Sequence, residues 1–153
     1  MREINKIIIH CSATIEGQDF DANDIDKWHK EKGWTGIGYH KVIRLNGEVQ
    51  NGRAIREIGA HALGHNDDSI GIVYIGGLDE ERSPKDTRTQ EQLIVMRNLC
   101  VELLNEFDSI TEIKGHNELP NVKKACPCFD VSDWLEATQL KDVLDDRRKR
   151  KAD

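Results

Sequence analysis

Residues 4–10, which read INKIIIH, are the stretch that decides the fold class. The β-branched run Ile7-Ile8-Ile9 predicts a strand that ends at His10. Residues 69–75 form another short apolar run, bounded by Gly76-Gly77, and predict a buried strand. A final strand is expected over residues 110–114. These segments predict a β-sheet, around which the rest of the chain is arranged.

A hairpin is indicated by the strongest turn signal in the chain. Asn46-Gly47 tolerates a positive φ at both central turn positions, so it predicts a hairpin between residues 39–45 and 48–51. Residues 59–68 have no periodicity and contain two histidines, and they are expected to form a loop. The hairpin therefore adds two antiparallel strands to the predicted sheet.

Helices are expected between these strands, over residues 21–33, 89–107 and 131–144. Asp21 is predicted to cap the first helix, and Thr89 with Gln92 forms a capping box for the second. Because strands and helices interleave along the chain, we predict an α/β single domain with a central mixed β-sheet flanked by helices.

The length and charge limit the class of protein. A chain of 153 residues has the length of one domain, and we assign residues 1–144 to it. The net charge of −6 argues against a nucleic-acid-binding protein, because neutralising phosphates requires an excess of Lys and Arg. No apolar run approaches about 18 residues, so no transmembrane segment is expected. The charged start MREINK is unlike a signal peptide.

The end of the chain is basic, and the cysteines are few. Residues 145–153 include Arg147-Arg148-Lys149-Arg150-Lys151, and we expect a flexible tail there. This tail is interpreted either as a frayed terminus or as a basic arm that contacts an anionic polymer. Four unevenly spaced cysteines do not suit a disulfide scaffold, so the chain is expected to fold in a reducing cytoplasm.

Two histidines at strand ends and one cysteine form a candidate metal site. His10 and His116 each end a predicted strand, where α/β proteins place functional groups. Cys126 precedes a proline, which holds its thiolate on a rigid turn. Zinc accepts both nitrogen and sulfur ligands, and three protein ligands are the catalytic pattern. The spacing is too long to be a motif by itself, and a core or capping role remains open for each histidine.

Two other short patterns partly match known metal-binding or redox motifs. The sequence His61-Ala62-Leu63-Gly64-His65 lacks the Glu of the helical metalloprotease motif, and its glycine disfavours a helix. Cys126-Pro127-Cys128 has one intervening residue where redox motifs have two. Neither pattern therefore indicates its usual chemistry.

Six blocks of the sequence resemble the zinc N-acetylmuramoyl-L-alanine amidases, in the same order along the chain. They extend from about residue 4 to about residue 140. The segment from Trp28 to Trp34 is especially similar to the amidase-type bacteriophage lysozymes, which are related to the peptidoglycan recognition proteins. The blocks that carry the resemblance are Ile7 to Thr14, Gly38-Tyr39-His40 with the Asn46-Gly47 turn, Gly59 to His61 with Asn66, Ser69 to Ile72 with Gly76-Gly77, Lys114-Gly115-His116, and Lys124 to Asp130.

The resemblance implies roles for individual residues. It places the Zn²⁺ ligands at His10, His116 and Cys126. It places the catalytic residues at Tyr39 and Lys124. His61 falls at a position that binds substrate in the family. The alternatives left open are Cys128 as the thiolate ligand, Lys123 in place of Lys124, and Glu118 as a general base or a solvated loop carboxylate.

The implied activity is zinc-dependent hydrolysis of the amide between N-acetylmuramic acid and L-alanine in peptidoglycan. The expected partner is peptidoglycan or its muropeptides, and the expected state is a monomer. The enzyme would act on the cell wall after release, as phage or prophage endolysins do, or on cytoplasmic muropeptides. The alternatives are a non-catalytic peptidoglycan-binding module, and a structural zinc protein that uses both Cys126 and Cys128.

Overall fold

Strands and helices alternate along the chain in the computed structural model, which describes residues 1–152. A single 3-10 turn, His116–Glu118, follows the last strand. The strands are β1 (Lys6–Cys11), β2 (Thr14–Ile15), β3 (Lys41–Ile43), β4 (Val49–Asn51), β5 (Ser69–Tyr74), β6 (Gly77–Leu78) and β7 (Glu112–Gly115). The helices are α1 (Ala22–Glu31), α2 (Gln90–Glu106), α3 (Val131–Ala137) and α4 (Leu140–Ala152).

Five of the strands form a mixed sheet in the order β4-β3-β5-β1-β7. β1 pairs in parallel with both β5 and β7, and β3 pairs in parallel with β5. The β3–β4 hairpin is antiparallel, as the Asn46-Gly47 turn predicts. The predicted α/β class with a central mixed sheet is therefore confirmed. Because β1, β5 and β7 are parallel, their carboxyl ends meet at one edge of the sheet.

The expected caps start the first two helices. The Asp21 carboxylate accepts from the Asp24 amide at 2.9 Å, and the Thr89 hydroxyl accepts from the Gln92 amide at 3.1 Å. Gln92 is fully buried, and its side-chain Nε2 donates to the carbonyls of Ile43 and Ile75 at 3.3 and 3.0 Å. Gln92, the second member of the capping box, thus also connects α2 to the ends of β3 and β5.

The apolar run of β1 is covered on both faces of the sheet. Ile7 and Ile9 pack in the large core with α2, α3 and α4, whereas Ile8 packs on the opposite face with Ala62 and Leu119. All three isoleucines are inaccessible to solvent. Full burial of such a side chain contributes about 1.5–3 kcal/mol, so this strand is a major source of stability. None of the helices within residues 1–152 combines the length and apolar character needed to cross a membrane.

Two helices, α3 and α4, occupy the end of the chain where a single helix over residues 131–144 was predicted. The helix is interrupted at Thr138 and Gln139, and Gln139 adopts a left-handed φ of 66°. α4 then continues to Ala152, so most of the expected tail is helical. Arg147 donates to the carbonyls of Leu104, Phe107 and Ile110, in the last turn of α2 and the segment after it, and this anchors α4. The domain boundary at residue 144 stays a prediction.

The burial of His40 leads us to expect that the protein loses stability in mild acid. Its Nδ1 accepts from the Gly71 amide at 3.0 Å and its Nε2 donates to the Glu57 carbonyl at 2.9 Å, while burial lowers its pKa to about 4. The ordinary pKa of His is about 6.5, so the unfolded chain binds the proton more tightly. Neutral His40 therefore makes its full contribution to the free energy of unfolding above about pH 6.5. This contribution is lost progressively as the pH falls to about 4, by about 3 kcal/mol in the free energy of unfolding.

Urea unfolding of the metal-free protein between pH 7.5 and 4 measures this effect. We expect the free energy of unfolding of His40→Asn to change less with pH than that of the wild-type chain. His65→Gln, in the loop before β5, serves as the control and should keep the wild-type slope. Equal slopes for His40→Asn and the wild-type chain would contradict the prediction.

Candidate active site

The edge where the parallel strands end brings together His10, His116 and Cys126. His10 is the fifth residue of β1, His116 directly follows β7, and Cys126 lies in the loop after the 3-10 turn. One candidate ligand atom from each residue lies within 4.8 Å of the others. The His10 and His116 rings are 4.7 Å apart, and His10 Nδ1 is 3.9 Å from Cys126 Sγ. The structure therefore assembles the three residues that the sequence suggested as ligands.

The protonation states of the two imidazoles suit metal binding. Burial is the main cause that lowers the pKa of both His10 and His116, and the positive charge of Lys124 lowers them further. Both rings are accordingly neutral, which is the form that offers a nitrogen lone pair to a metal. Two imidazole nitrogens and one thiolate are a donor set that zinc accepts readily.

Cys11, which was not among the predicted site residues, favours ionisation of the Cys126 thiol. A hydrogen bond from the Cys11 thiol is the main cause that lowers the pKa of Cys126. The Cys11 amide, which donates to Cys126 Sγ at 3.2 Å, and the charge of Lys124 act in the same direction. The same thiol–thiol contact and burial raise the pKa of Cys11, which keeps its proton. Both shifts favour Cys126 as the thiol that ionises and Cys11 as the one that keeps its proton.

The cluster forms one wall of a cleft of about 620 Å³. Lys124 lines this cleft together with Tyr39 and His61, whereas the adjacent described residue Lys123 does not. Trp34 and Leu63 stand at its edge with exposed fractions of 42% and 98%. The cleft therefore combines a polar floor with apolar side chains that are open to solvent.

Tyr39 lies next to His10 in the cleft lining. The two rings are 5.0 Å apart, and the Tyr39 ring is also 5.5 Å from that of His29. Burial is the main cause that raises the pKa of Tyr39, and the neighbouring thiols Cys126 and Cys11 raise it further. Tyr39 therefore stays protonated, and its hydroxyl is available as a hydrogen-bond donor.

His61 borders the cleft, but both of its ring nitrogens have partners within the protein. Nδ1 lies 2.9 Å from His10 Nε2, and Nε2 lies 3.2 Å from Ser69 Oγ. Burial lowers the pKa of His61 to about 3, so the ring is neutral. Substrate contact by His61 stays a prediction, and such a contact would involve the carbon edge of the ring.

The alternatives raised by the sequence lie outside the cluster. Cys128 Sγ is 3.8 Å from Cys11 Sγ, and Cys128 does not belong to the group of three candidate ligands found among the described residues. Glu118 accepts from the Gly115 amide at 2.9 Å and caps the 3-10 turn. The second cysteine and the loop carboxylate are thus engaged elsewhere in the fold.

Fold and site together define an α/β protein with a His, His, Cys cluster on a cleft at the ends of its parallel strands. A family model described as N-acetylmuramoyl-L-alanine amidase matches residues 1–129. The chain is 37% identical over 139 residues to an endolysin of Klebsiella phage KP32, an alignment that covers 91% of this chain and 90% of that protein.

Solved structures give the same result. The amidase LysC from Clostridium intestinale URNW superposes with a TM-score of 0.76 at 28% identity, covering 90% of this chain and 87% of LysC. A mutant of Drosophila PGRP-LB in complex with tracheal cytotoxin superposes with a TM-score of 0.69 at 27% identity, covering 83% and 76% of the two chains. The chain belongs to the N-acetylmuramoyl-L-alanine amidase family. It is an enzyme, a peptidoglycan amidase, which confirms the resemblance noted in the sequence.

Proposed function

We propose that the protein hydrolyses the amide between N-acetylmuramic acid and L-alanine in peptidoglycan with zinc as its cofactor. The observation that carries the proposal is the approach of His10, His116 and Cys126 to within 4.8 Å in a cleft that Tyr39 and Lys124 also line. The KP32 relative is an endolysin, and the PGRP-LB mutant is in complex with tracheal cytotoxin. Both likenesses support peptidoglycan or a muropeptide as the substrate.

Zinc would be held by the two neutral imidazoles and the Cys126 thiolate. A zinc ion with three protein ligands lowers the pKa of a water molecule and polarises a substrate carbonyl, which makes an unreactive amide open to attack. The residues fit this ion because the donor atoms are of the right type and the histidines are neutral. The fit would be lost if either imidazole carried a proton on its ligand nitrogen.

Lys124 and Tyr39 would supply the positive charge and the hydrogen bond that the reaction needs. Attack on the amide carbon places negative charge on the carbonyl oxygen. The Lys124 ammonium can stabilise this oxygen from the cleft wall, and the protonated Tyr39 hydroxyl can donate to it or orient the attacking water. Donors placed in this way typically contribute about 3–4 kcal/mol to the transition state.

Catalysis is favoured over binding alone because all the reactive side chains line one cleft. A binding module needs no thiolate ligand, whereas here Cys11 hydrogen-bonds to Cys126 and lowers its pKa. The enzyme is proposed to act as a monomer on the cell wall after release from the cell. The same chemistry would serve to cleave muropeptides in the cytoplasm.

Mass spectrometry of purified peptidoglycan tests the proposal. We expect incubation with the protein to release free stem peptides that begin at L-alanine. A zinc chelator should abolish the release, and added zinc should restore it. Release that continues unchanged in the chelator would contradict zinc dependence, and fragments cut at a glycosidic bond would contradict the proposed amide.

A further inference from the structure

A continuous chain of hydrogen bonds extends from the proposed metal ligand His10 into the interior. His10 Nε2 lies 2.9 Å from His61 Nδ1, His61 Nε2 lies 3.2 Å from Ser69 Oγ, and Ser69 Oγ lies 2.6 Å from the His65 carbonyl oxygen. We propose that His61 and Ser69 are positioning residues that fix the tautomer of His10, so that its Nδ1 lone pair faces the metal. This inference rests on the proposed zinc site.

The group at the end of this series of hydrogen bonds determines which atom donates in each of them. The His65 carbonyl oxygen can only accept, so the Ser69 hydroxyl donates its single proton to it. Ser69 Oγ then accepts from His61, which places the proton of His61 on Nε2. A neutral imidazole has one N–H, so His61 Nδ1 is an acceptor.

His10 is consequently the donor in its bond to His61. Its proton is on Nε2, and its Nδ1 carries the lone pair. That nitrogen is the one that lies 3.9 Å from Cys126 Sγ. A ligating histidine generally donates its second N–H to an acceptor that fixes the ring and raises its basicity. In this protein the acceptor is a second imidazole, which has the correct tautomer only because Ser69 holds it.

The ring of His61 has little freedom to depart from this arrangement. A Cβ atom at Gly71 would lie 2.6 Å from His61 Cγ, and one at Gly59 would lie 2.6 Å from His61 Cδ2. The absence of a side chain at both glycines therefore allows the ring to sit directly against the backbone. Asn66 Oδ1 also accepts from the amides of His61 and Ala62 at 3.0 and 2.9 Å. The loop and the ring are both fixed, as a positioning role requires.

Ser69→Ala tests this series of hydrogen bonds without changing a proposed metal ligand. Without the hydroxyl, His61 can move its proton to Nδ1, where it opposes the Nε2–H of His10. We expect zinc affinity, measured by competition with a chelator, to fall about 10–100-fold. Ser69→Thr, which keeps a hydroxyl, should restore most of the affinity. Ser109→Ala removes a hydroxyl that donates to the Ile4 carbonyl in another part of the fold, and it should leave the affinity unchanged.

Nitrogen-15 NMR of the histidine rings gives a readout that a general loss of stability would not produce. In the zinc-loaded wild-type protein, we expect His10 to be protonated on Nε2 and metal-bound through Nδ1, and His61 to be protonated on Nε2. Circular dichroism would establish that Ser69→Ala is folded. Metal binding through His10 Nε2, or an unchanged affinity in folded Ser69→Ala, would overturn the inference.

The outcome is separable from that of the proposed function. If the wild-type protein binds zinc but releases no stem peptide, the proposed function fails, while the affinity and NMR results still decide the role of Ser69. If the protein is an active amidase and folded Ser69→Ala binds zinc as tightly as the wild-type chain, only the positioning role fails.

Discussion

Cys126→Ala is expected to abolish tight zinc binding and amidase activity while the chain stays folded. The substitution removes the thiolate and leaves two imidazoles, which cannot complete a three-ligand site. Loss of an outer hydrogen-bond partner of a metal ligand costs about 10–100-fold in affinity, so loss of the ligand itself should exceed about 100-fold. Cys126 is half-buried, packs against the large core from a loop and belongs to no strand, so the sheet is expected to form without it. Zinc content, stem-peptide release and circular dichroism measure the three expectations.

Cys128→Ser is the matched control for this variant. Cys128 lies two residues along the same loop, and its thiol contacts Cys11 rather than the ligand cluster. We expect this variant to keep both zinc and activity. Activity that survives in Cys126→Ala, or zinc that is lost in Cys128→Ser, would show that the thiolate ligand has been assigned to the wrong cysteine.

Lys124→Ala is expected to keep zinc and lose most of the rate. The ammonium of Lys124 lines the cleft without belonging to the ligand group, so its loss removes charge stabilisation and leaves the donor atoms in place. A positioned donor of this kind is worth about 10²–10³ in kcat. Steady-state kinetics on soluble muropeptides, together with zinc content, separate a loss of rate from a loss of metal.

Lys123→Ala is the control because it removes the same charge one residue away. It should change kcat by no more than a few-fold, since Lys123 lies outside the cleft lining. A large loss of rate in Lys123→Ala with a small one in Lys124→Ala would show that the functional lysine is the other member of the pair.

The sheet and the candidate ligands were predictable because their signals are local. A β-branched run ending at His10 and the Asn46-Gly47 turn each depend on a few adjacent residues. His10 and His116 were placed at strand ends, and the parallel pairing of β1 with β7, which the structure supplies, brings these ends together. Their convergence with Cys126 required the resemblance to the amidases, because Cys126 lies 116 positions after His10 in the sequence.

Contacts between distant segments could not be read from the sequence. Ser69 is an ordinary first residue of a buried strand until the fold places His61 beside it. Cys11 carries no sign in the sequence of a role beside Cys126, because the hydrogen bond from its amide to Cys126 Sγ joins segments that are far apart along the chain. The extension of α4 was missed because a run of basic residues resembles a solvated tail, whereas Arg147 finds carbonyl partners on α2.

The position of β1 in the sheet has a consequence for biosynthesis. This strand is complete within the first eleven residues, but the strands on either side of it begin only at Ser69 and Glu112. During translation the isoleucine run of β1 is made before either neighbouring strand, so its apolar side chains and backbone groups lack their sheet partners until β5 follows. A chain that stops before Glu112 would lack both the flanking strand β7 and the candidate ligand Cys126. Such a chain would not hold the complete His, His, Cys cluster, so the geometry that the proposed catalysis needs forms only after the loop that carries Cys126 has been made.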